Sequence, residues 1–160
     1  MERIQRTIQS FIKDQPPPLA TMDTSVQEAV AQMRRAGASC VLVVSEAPDT
    51  LGQLLGIFTE RDLLLRVVAI GMPPKETPLG QVMTRDPETL GVNDSIAFAI
   101  NRMGEGGYRN VPIVDPVGLP IAVLSVRDVV GHLRNVFSGF QLTDAEEELS
   151  SPWTDIGGSG

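Results

Sequence analysis

Two short segments carry a hydroxyl residue followed, three positions later, by an aspartate: Thr59 to Asp62 and Ser125 to Asp128. Each follows an apolar strand-like run and precedes an apolar helical pattern, so the hydroxyl stands at the N-cap of a helix. A helix N-terminus offers free N–H groups to phosphate. The aspartate could accept two hydrogen bonds from ribose hydroxyls, and the hydroxyl could donate one to a phosphate oxygen. These residue types suit a nucleotide and not hydrolysis, because no base is placed to activate either hydroxyl.

The same residues have a structural interpretation. A hydroxyl N-cap with an acidic residue three positions later is a capping box, and the helix dipole favours its charge. A single occurrence would not separate the two interpretations. Two occurrences at the ends of equivalent strands favour the ligand, because ligands of open α/β architectures collect at the carboxyl ends of strands. Arg61 and Arg127 recur inside the two segments and either face phosphate or pair with surface carboxylates.

Both segments belong to a longer internal repeat. Residues 56–64 recur at 122–130 with an offset of 66, the helical pattern at 24–30 recurs at 94–100 with an offset of 70, and the apolar run 38–44 recurs at 109–115 with an offset of 71. The first copy therefore carries about five extra residues at 45–50, a length that an exposed turn accommodates at little cost. A repeat this long is one folded unit duplicated, so two similar half-domains should pack as a pair.

Each copy shows the order helix, strand, strand, helix after an extended lead-in. The first copy predicts a helix at 24–36 ended by Gly37, strands at 41–44 and 54–58, and a helix from Thr59 to about Ile70. The second predicts a helix at 95–104, strands at 111–114 and 121–124, and a helix at 126–137. The strands are apolar throughout and should be buried on both faces, which predicts α/β (α+β) layering. An amphipathic N-terminal helix is predicted from the spacing of Ile4, Ile8, Phe11 and Ile12.

The bulk composition excludes several classes. A net charge of −7 and a pI near 4.6 argue against binding of nucleic acid or an anionic membrane surface. No apolar run reaches 18 residues and the N-terminus does not resemble a signal peptide, so a cytoplasmic location is expected. Cys40, the single cysteine, excludes an intrachain disulfide. It is interpreted as a small buried hydrophobe, since no histidine is placed to activate it. His132 has no companion ligands at metal spacing, so no metal site is predicted.

The signature segments place the sequence beside a known family. Gly-Ile-Phe-Thr-Glu-Arg-Asp at 56–62 and Ala-Val-Leu-Ser-Val-Arg-Asp at 122–128 resemble the signature of cystathionine-β-synthase (CBS) domains. Val-Met-Thr-Arg-Asp-Pro at 82–87 resembles the lead-in to such a domain, and Asn-Val-Pro-Ile-Val-Asp at 110–115 resembles its first-strand motif. The resemblance covers roughly residues 17–138. It departs at Ala122, where the family usually has glycine, and at Cys40 and Val41, where the first copy lacks the proline that Pro112 supplies in the second.

The resemblance implies a Bateman module: two pseudo-symmetric β-α-β-β-α CBS units that pack through their small sheets and bind adenine nucleotides in two clefts. Together with the residue patterns, this predicts an N-terminal amphipathic helix at 1–15, CBS units at 16–76 and 77–138, and an acidic, disordered tail at 139–160. Asp62 and Asp128 would hold ribose, and Thr59 and Ser125 phosphate. The other implied ligand-binding residues line adenine or stand at the strand entrances: Ile57, Val123, Ala38, Ser39, Cys40, Arg109, Asn110 and Val111. Ala38 is taken as the approximate counterpart of Arg109, so the two clefts are unequal in charge.

Three functions follow as hypotheses. The first is a regulatory module, not an enzyme, that senses AMP, ADP or ATP and signals to an unidentified partner protein. The same module could instead sense S-adenosylmethionine, NAD or cyclic di-AMP. The second is a structural or dimerisation scaffold with vestigial clefts, although a scaffold would have no need for an aspartate in both copies. The third, an enzyme, lacks a converging base, nucleophile or metal set. No cofactor is expected, and a homodimer through the helices after Asp62 and Asp128 is predicted.

Overall fold

A computed structural model of the chain describes residues 6–13 and 15–137. It divides into two compact units, one ending at Val126 and the other beginning at Arg127. The predicted acidic tail at 139–160 and Ile4 of the predicted N-terminal helix lie outside the described residues. In the part of the chain that the structure describes, no helix is long and apolar enough to cross a membrane.

The first unit contains two small sheets. The first sheet has the order β1 (Leu19–Ala20), β2 (Cys40–Val44), β3 (Leu54–Thr59) and β4 (Thr84–Arg85), of which only the β1–β2 pair is parallel. The second sheet pairs β5 (Asn110–Val114) with β6 (Pro120–Ser125) in antiparallel orientation. Leu90 adds a parallel bridge to Ile113, where β1 stands in the first sheet. Mixed α/β layering is confirmed.

Strand β2 is buried on both faces, as its apolar run predicts. Val41 and Val43 point into a core with Phe58 and the helices of the first repeat. Cys40 and Leu42, on the opposite face, pack with Ile57 in a smaller cluster that also receives Val123 from β6. This alternation follows from the period of two along a strand. The two repeats therefore pack through their sheets.

Helices α1 (Val26–Ala36) and α4 (Ile96–Gly106) begin and end at equivalent caps. The Ser25 hydroxyl accepts a hydrogen bond from the Glu28 amide at 3.2 Å, and the Ser95 hydroxyl accepts one from the Phe98 amide at 3.1 Å. Gly37 and Gly107 end the helices with positive φ, which glycine adopts without strain. The glycine-rich run at 104–107 is thus a helix end, although α4 continues two residues beyond the predicted Gly104.

The sheet register corrects the predicted alignment of the two repeats by one residue. Cys40 lies opposite Thr59 in the first sheet, and Asn110 lies opposite Ser125 in the second. Asn110 therefore corresponds to Cys40, an offset of 70 instead of 71, and the counterpart of Arg109 is Ser39 instead of Ala38. The offset of 71 was wrong because apolar strands align equally well when shifted by one residue. Hydrogen-bonded pairing removes that ambiguity.

The lead-ins are exchanged between the repeats. The segment before the second repeat packs on the first: the Leu79 amide donates to the Thr24 carbonyl at 2.8 Å, and the Val26 amide donates to the Thr77 carbonyl at 2.9 Å. The N-terminal segment packs on the second in the same way, with the Ile8 amide on the Asp94 carbonyl at 2.9 Å. The predicted amphipathic helix at 1–15 is wrong over the described residues. One 3-10 turn, Ile8–Phe11, forms instead, because the segment's backbone bonds go to the second repeat.

The helices after the two signatures differ from each other. Helix α2 (Glu60–Asp62) continues as π-helical turns over Leu63–Val68, whereas α5 (Val126–Phe137) is a regular α-helix. Between them in the sequence lies the short α3 (Leu79–Val82). The π-helical hydrogen bonds span five residues, as from the Ala69 amide to the Leu64 carbonyl at 2.9 Å. Such turns are rare and are frequently found at functional sites.

Candidate functional site

The first signature forms a complete capping box at the end of β3. The Thr59 hydroxyl accepts a hydrogen bond from the Asp62 amide at 3.2 Å, and the Thr59 amide donates to Asp62 Oδ2 at 3.0 Å. The Thr59 hydroxyl also donates to Asp62 Oδ2 at 3.1 Å. Both N-terminal bonds of the box are made, which fixes the start of α2. The structural interpretation of this signature therefore holds.

Asp62 is buried, with 7% of its surface exposed, and has two further partners that sequence reasoning missed. The Thr84 hydroxyl donates to Asp62 Oδ1 at 3.4 Å, and Arg66 Nε lies 3.5 Å from the same oxygen. Arg66 Nη1 also donates to the carbonyls of Val82 and Met83, at 3.3 and 2.8 Å. The four-residue spacing of Asp62 and Arg66 on a helix could have indicated their pairing. No pattern of neighbouring residues in the sequence could have indicated that Thr84 contacts Asp62.

The segments that enter β2 and β5, around Ser39 and Asn110, contact each other. The Ser39 hydroxyl donates to Asn110 Oδ1 at 3.0 Å, across 71 residues of sequence. The Ser39 carbonyl accepts from the Glu60 amide at 3.2 Å, and the Arg109 carbonyl accepts from the Val126 amide at 2.9 Å. Each entrance therefore lies at the start of the helix that follows its own signature. The side chains of Arg109 and Arg61 are exposed, and that of Ala38 is half-buried.

Cys40, Ile57, Val111 and Val123 take part in packing. Cys40 and Ile57 belong to the cluster between the sheets, against which the half-buried Val123 packs, and Val111 is buried in β5. Burial raises the pKa of the Cys40 thiol to about 12, and the nearby Glu60 carboxylate adds to the shift. The thiol is therefore neutral and inert at physiological pH, as expected of a buried hydrophobe.

The second signature is divided between two elements. Ser125 is the last residue of β6 and pairs with Asn110, as Thr59 pairs with Cys40 in the first sheet. Asp128 lies in the first turn of α5, where Arg127 is exposed. The second hydroxyl therefore has the same position in its sheet as the first. Among the described residues, no group of three or more His, Cys, Asp or Glu side chains could hold a metal ion.

Comparison with known proteins decides the family. The model of the CBS domain matches this chain twice, at residues 10–69 and 79–135. The chain belongs to the CBS-domain family. It is 35% identical over 133 residues to the meiotically up-regulated gene 70 protein of Schizosaccharomyces pombe. It is 36% identical over 121 residues to the CBS domain-containing protein CBSCBSPB1 of Arabidopsis thaliana. These matches cover 83% and 75% of the chain but only 17% and 21% of the two relatives.

Solved structures share the fold of this CBS pair. An uncharacterized conserved protein from Pyrococcus horikoshii matches with a TM-score of 0.73 at 24% identity, covering 82% of this chain and 94% of that one. A CBS domain protein from Pyrobaculum aerophilum, complexed with AMP, matches with a TM-score of 0.68 at 23% identity, covering 76% and 88%. The CBS domain pair of protein MJ0100, in complex with 5′-methylthioadenosine and S-adenosyl-L-methionine, matches with 0.69 at 19% identity, covering 79% and 98%.

Proposed function

We propose that this CBS pair is a regulatory module that binds an adenosyl ligand, foremost AMP, ADP or ATP, and passes the signal to a partner protein. The observation that carries the proposal is the buried carboxylate of Asp62, held at a helix N-terminus beside the Thr59 hydroxyl. A carboxylate so placed is suited to ribose hydroxyls, and the exposed Arg61 beside it is suited to phosphate. Asp128 and Ser125 would do the same in the second cleft.

The structural neighbours support the ligand class. One was solved with AMP and another with 5′-methylthioadenosine and S-adenosyl-L-methionine, and the adenosine moiety is common to all three ligands. A ligand held through adenosine alone would need no cation, whereas a nucleotide would. Arg61, Arg109 and Arg127 are exposed beside the two signatures and could supply one. These cations are suited to the phosphates of a nucleotide.

The scaffold alternative makes a different prediction. In a scaffold, the Thr59 and Asp62 capping box would stabilise α2, and no adenosyl compound would change the stability of the chain. Proteins built from CBS domains are generally regulatory, so an enzyme is not proposed. A cytoplasmic location stays a prediction.

The decisive experiment is thermal unfolding with AMP, ADP, ATP, adenosine and S-adenosylmethionine, with GMP as the control. A ligand at 100 times its dissociation constant stabilises the folded state by about 2.7 kcal/mol per site. For a chain of this length, we expect the melting temperature to rise by about 5–11 °C. The Asp62→Asn/Asp128→Asn variant should lose this ligand-induced rise, whereas Asp49→Asn, which changes an exposed aspartate in a turn, should keep it. If no adenosyl compound changed the melting temperature, only the scaffold hypothesis would remain.

A further inference from the structure

The carboxylate of Asp62 has little acceptor capacity left for a ligand. A carboxylate offers about four lone-pair sites. Oδ2 receives both the amide and the hydroxyl of Thr59, at 3.0 and 3.1 Å. Oδ1 receives the Thr84 hydroxyl at 3.4 Å and faces Arg66 Nε at 3.5 Å. A ligand hydroxyl that binds at Oδ1 therefore competes with the Thr84 hydroxyl and lies against the Arg66 guanidinium.

The lengths of these contacts indicate which donor leaves. Hydroxyl–carboxylate hydrogen bonds are typically about 2.5–2.7 Å long, well below the 3.4 Å from the Thr84 hydroxyl to Oδ1. The bonds at Oδ2 are shorter and complete the capping box of α2, so their loss would weaken the helix start. A ligand hydroxyl would thus take Oδ1 and displace Thr84, the weaker donor of the two because it is uncharged.

Both partners of Oδ1 lead to the same piece of chain. Thr84 opens β4, the strand that leads into the second repeat. Arg66 donates to the carbonyls of the two residues before it, Val82 and Met83. We call Val82–Thr84 the junction segment. It is held against the first signature through Asp62 by a hydroxyl and a guanidinium.

We propose that Arg66 and Thr84 are positioning residues that make ligand binding at Asp62 compete with docking of the junction segment. The inference rests on the proposed function, since it requires that Asp62 receives ligand hydroxyls. Because coupling between two equilibria is reciprocal, whatever displaces the junction segment also changes the ligand affinity. The binding of a ligand in the first repeat is thereby communicated to the chain that enters the second.

The affinity test uses Thr84→Val, which replaces the competing hydroxyl with a methyl group, and Thr84→Ser, which keeps the hydroxyl. Both are made in the Asp128→Asn background and titrated with adenosine, so that the measured affinity is that of the site at Asp62. At 3.4 Å the Thr84 hydroxyl is far from the carboxylate for a hydrogen bond, so the contact contributes about 0.5–1.5 kcal/mol and its removal should tighten binding about 2- to 12-fold in Thr84→Val. Thr84→Ser should bind like the parent. Unchanged or weaker binding in Thr84→Val would overturn the competition.

Amide hydrogen exchange tests the attachment without any ligand. Asp86 donates its amide to the Leu55 carbonyl at 3.1 Å and reports the docking of β4. Thr84→Val and Arg66→Met should each speed exchange at residues 83–86 at least about 5-fold, with α1 unaffected. Arg35→Met, which changes an exposed arginine of α1, is the control. Unchanged exchange in both variants would overturn the proposal. If the parent binds no adenosyl compound, the proposed function and the competition both fail, and this arm alone decides whether Arg66 and Thr84 hold the segment.

Discussion

At the scale of single residues, the carboxylate of Asp62 has a structural role and, under the proposed function, a ligand role. Its oxygens complete the capping box and pair with Thr84 and Arg66. A substitution there would change both helix stability and ligand affinity, so either measurement alone would be ambiguous. At the second signature, substitutions of Asp128 and of the neighbouring Arg109 test the recognition of ribose and of phosphate separately.

Arg109→Ala should weaken the binding of ATP more than that of adenosine, because only the phosphates need the cation. Asp128→Ala should weaken both about 10- to 150-fold, since it removes a charged hydrogen-bond acceptor that contributes about 1.5–3 kcal/mol. Calorimetry with ATP and adenosine on both variants checks this, with Arg35→Ala as the control. Equal losses for the two ligands in Arg109→Ala would show that Arg109 does not bind phosphate. Unchanged affinities in Asp128→Ala would reduce the second signature to a helix cap.

Cys40 should resist alkylation in the folded chain. Burial, with a smaller contribution from Glu60, raises its pKa from 9.0 to about 12. At pH 8 the reactive thiolate should be roughly a thousand-fold scarcer than in the unfolded chain. Iodoacetamide labelling followed by mass spectrometry, with and without urea, measures the difference. Since the folded pKa is the higher one, the contribution of the neutral thiol to stability is lost as the pH rises from 9.0 towards about 12. Equal labelling rates in the two conditions would contradict the burial.

At the scale of elements, the close approach of β3 and β4 requires a glycine at position 56. A Cβ added at Gly56 would lie 2.6 Å from Met83 Sδ and 2.8 Å from the Thr84 carbonyl oxygen. The second contact is with backbone, so a larger residue would have to push β4 away. The equivalent residue of the second repeat, Ala122, is buried with its Cβ accommodated. The family's preference for glycine is therefore a physical requirement in the first repeat alone.

Gly56→Ala should lower the free energy of unfolding by about 1–3 kcal/mol, the usual cost of overpacking a core. The reverse substitution at the equivalent position, Ala122→Gly, should cost only about 0.5–1 kcal/mol through backbone entropy. Urea unfolding of both variants makes the comparison. If Gly56→Ala proved as stable as the parent, β4 would not be tied to β3 as closely as the structure has it.

At the scale of the whole molecule, apolar side chains are exposed on the helical elements after both signatures. The π-helical turns expose Leu64 and Val68, at 59% and 60%, and α5 exposes Val130 and Leu133. Scattered exposed leucines are ordinary, but a group on one element indicates a contact surface. The predicted homodimer would bury these residues against their own copies, as a two-fold axis requires.

We expect light scattering to give twice the single-chain mass of 17.2 kDa. Leu64→Glu/Val68→Glu should convert the dimer to a monomer, because charge on both residues would have to be buried without a partner. Leu51→Glu is the matched control, since Leu51 is 67% exposed but lies in the turn between β2 and β3. A parent chain that stays at 17.2 kDa over a wide concentration range would contradict the homodimer.

The sequence by itself determined the features that depend on neighbours along the chain. The Ser25 and Ser95 caps, the glycine helix ends and the Thr59 capping box are set by residues within about five positions, so their patterns predict them. The apolar strands and the duplicated signature likewise identified two CBS units. Tertiary structure decided what depends on distant residues. The offset of 70 between the repeats became visible only from the strand pairing within each sheet. Each lead-in packs on the other repeat because its backbone groups form hydrogen bonds with residues there. Thr84 meets Asp62, and Ser39 meets Asn110, over separations of 22 and 71 residues that only packing closes.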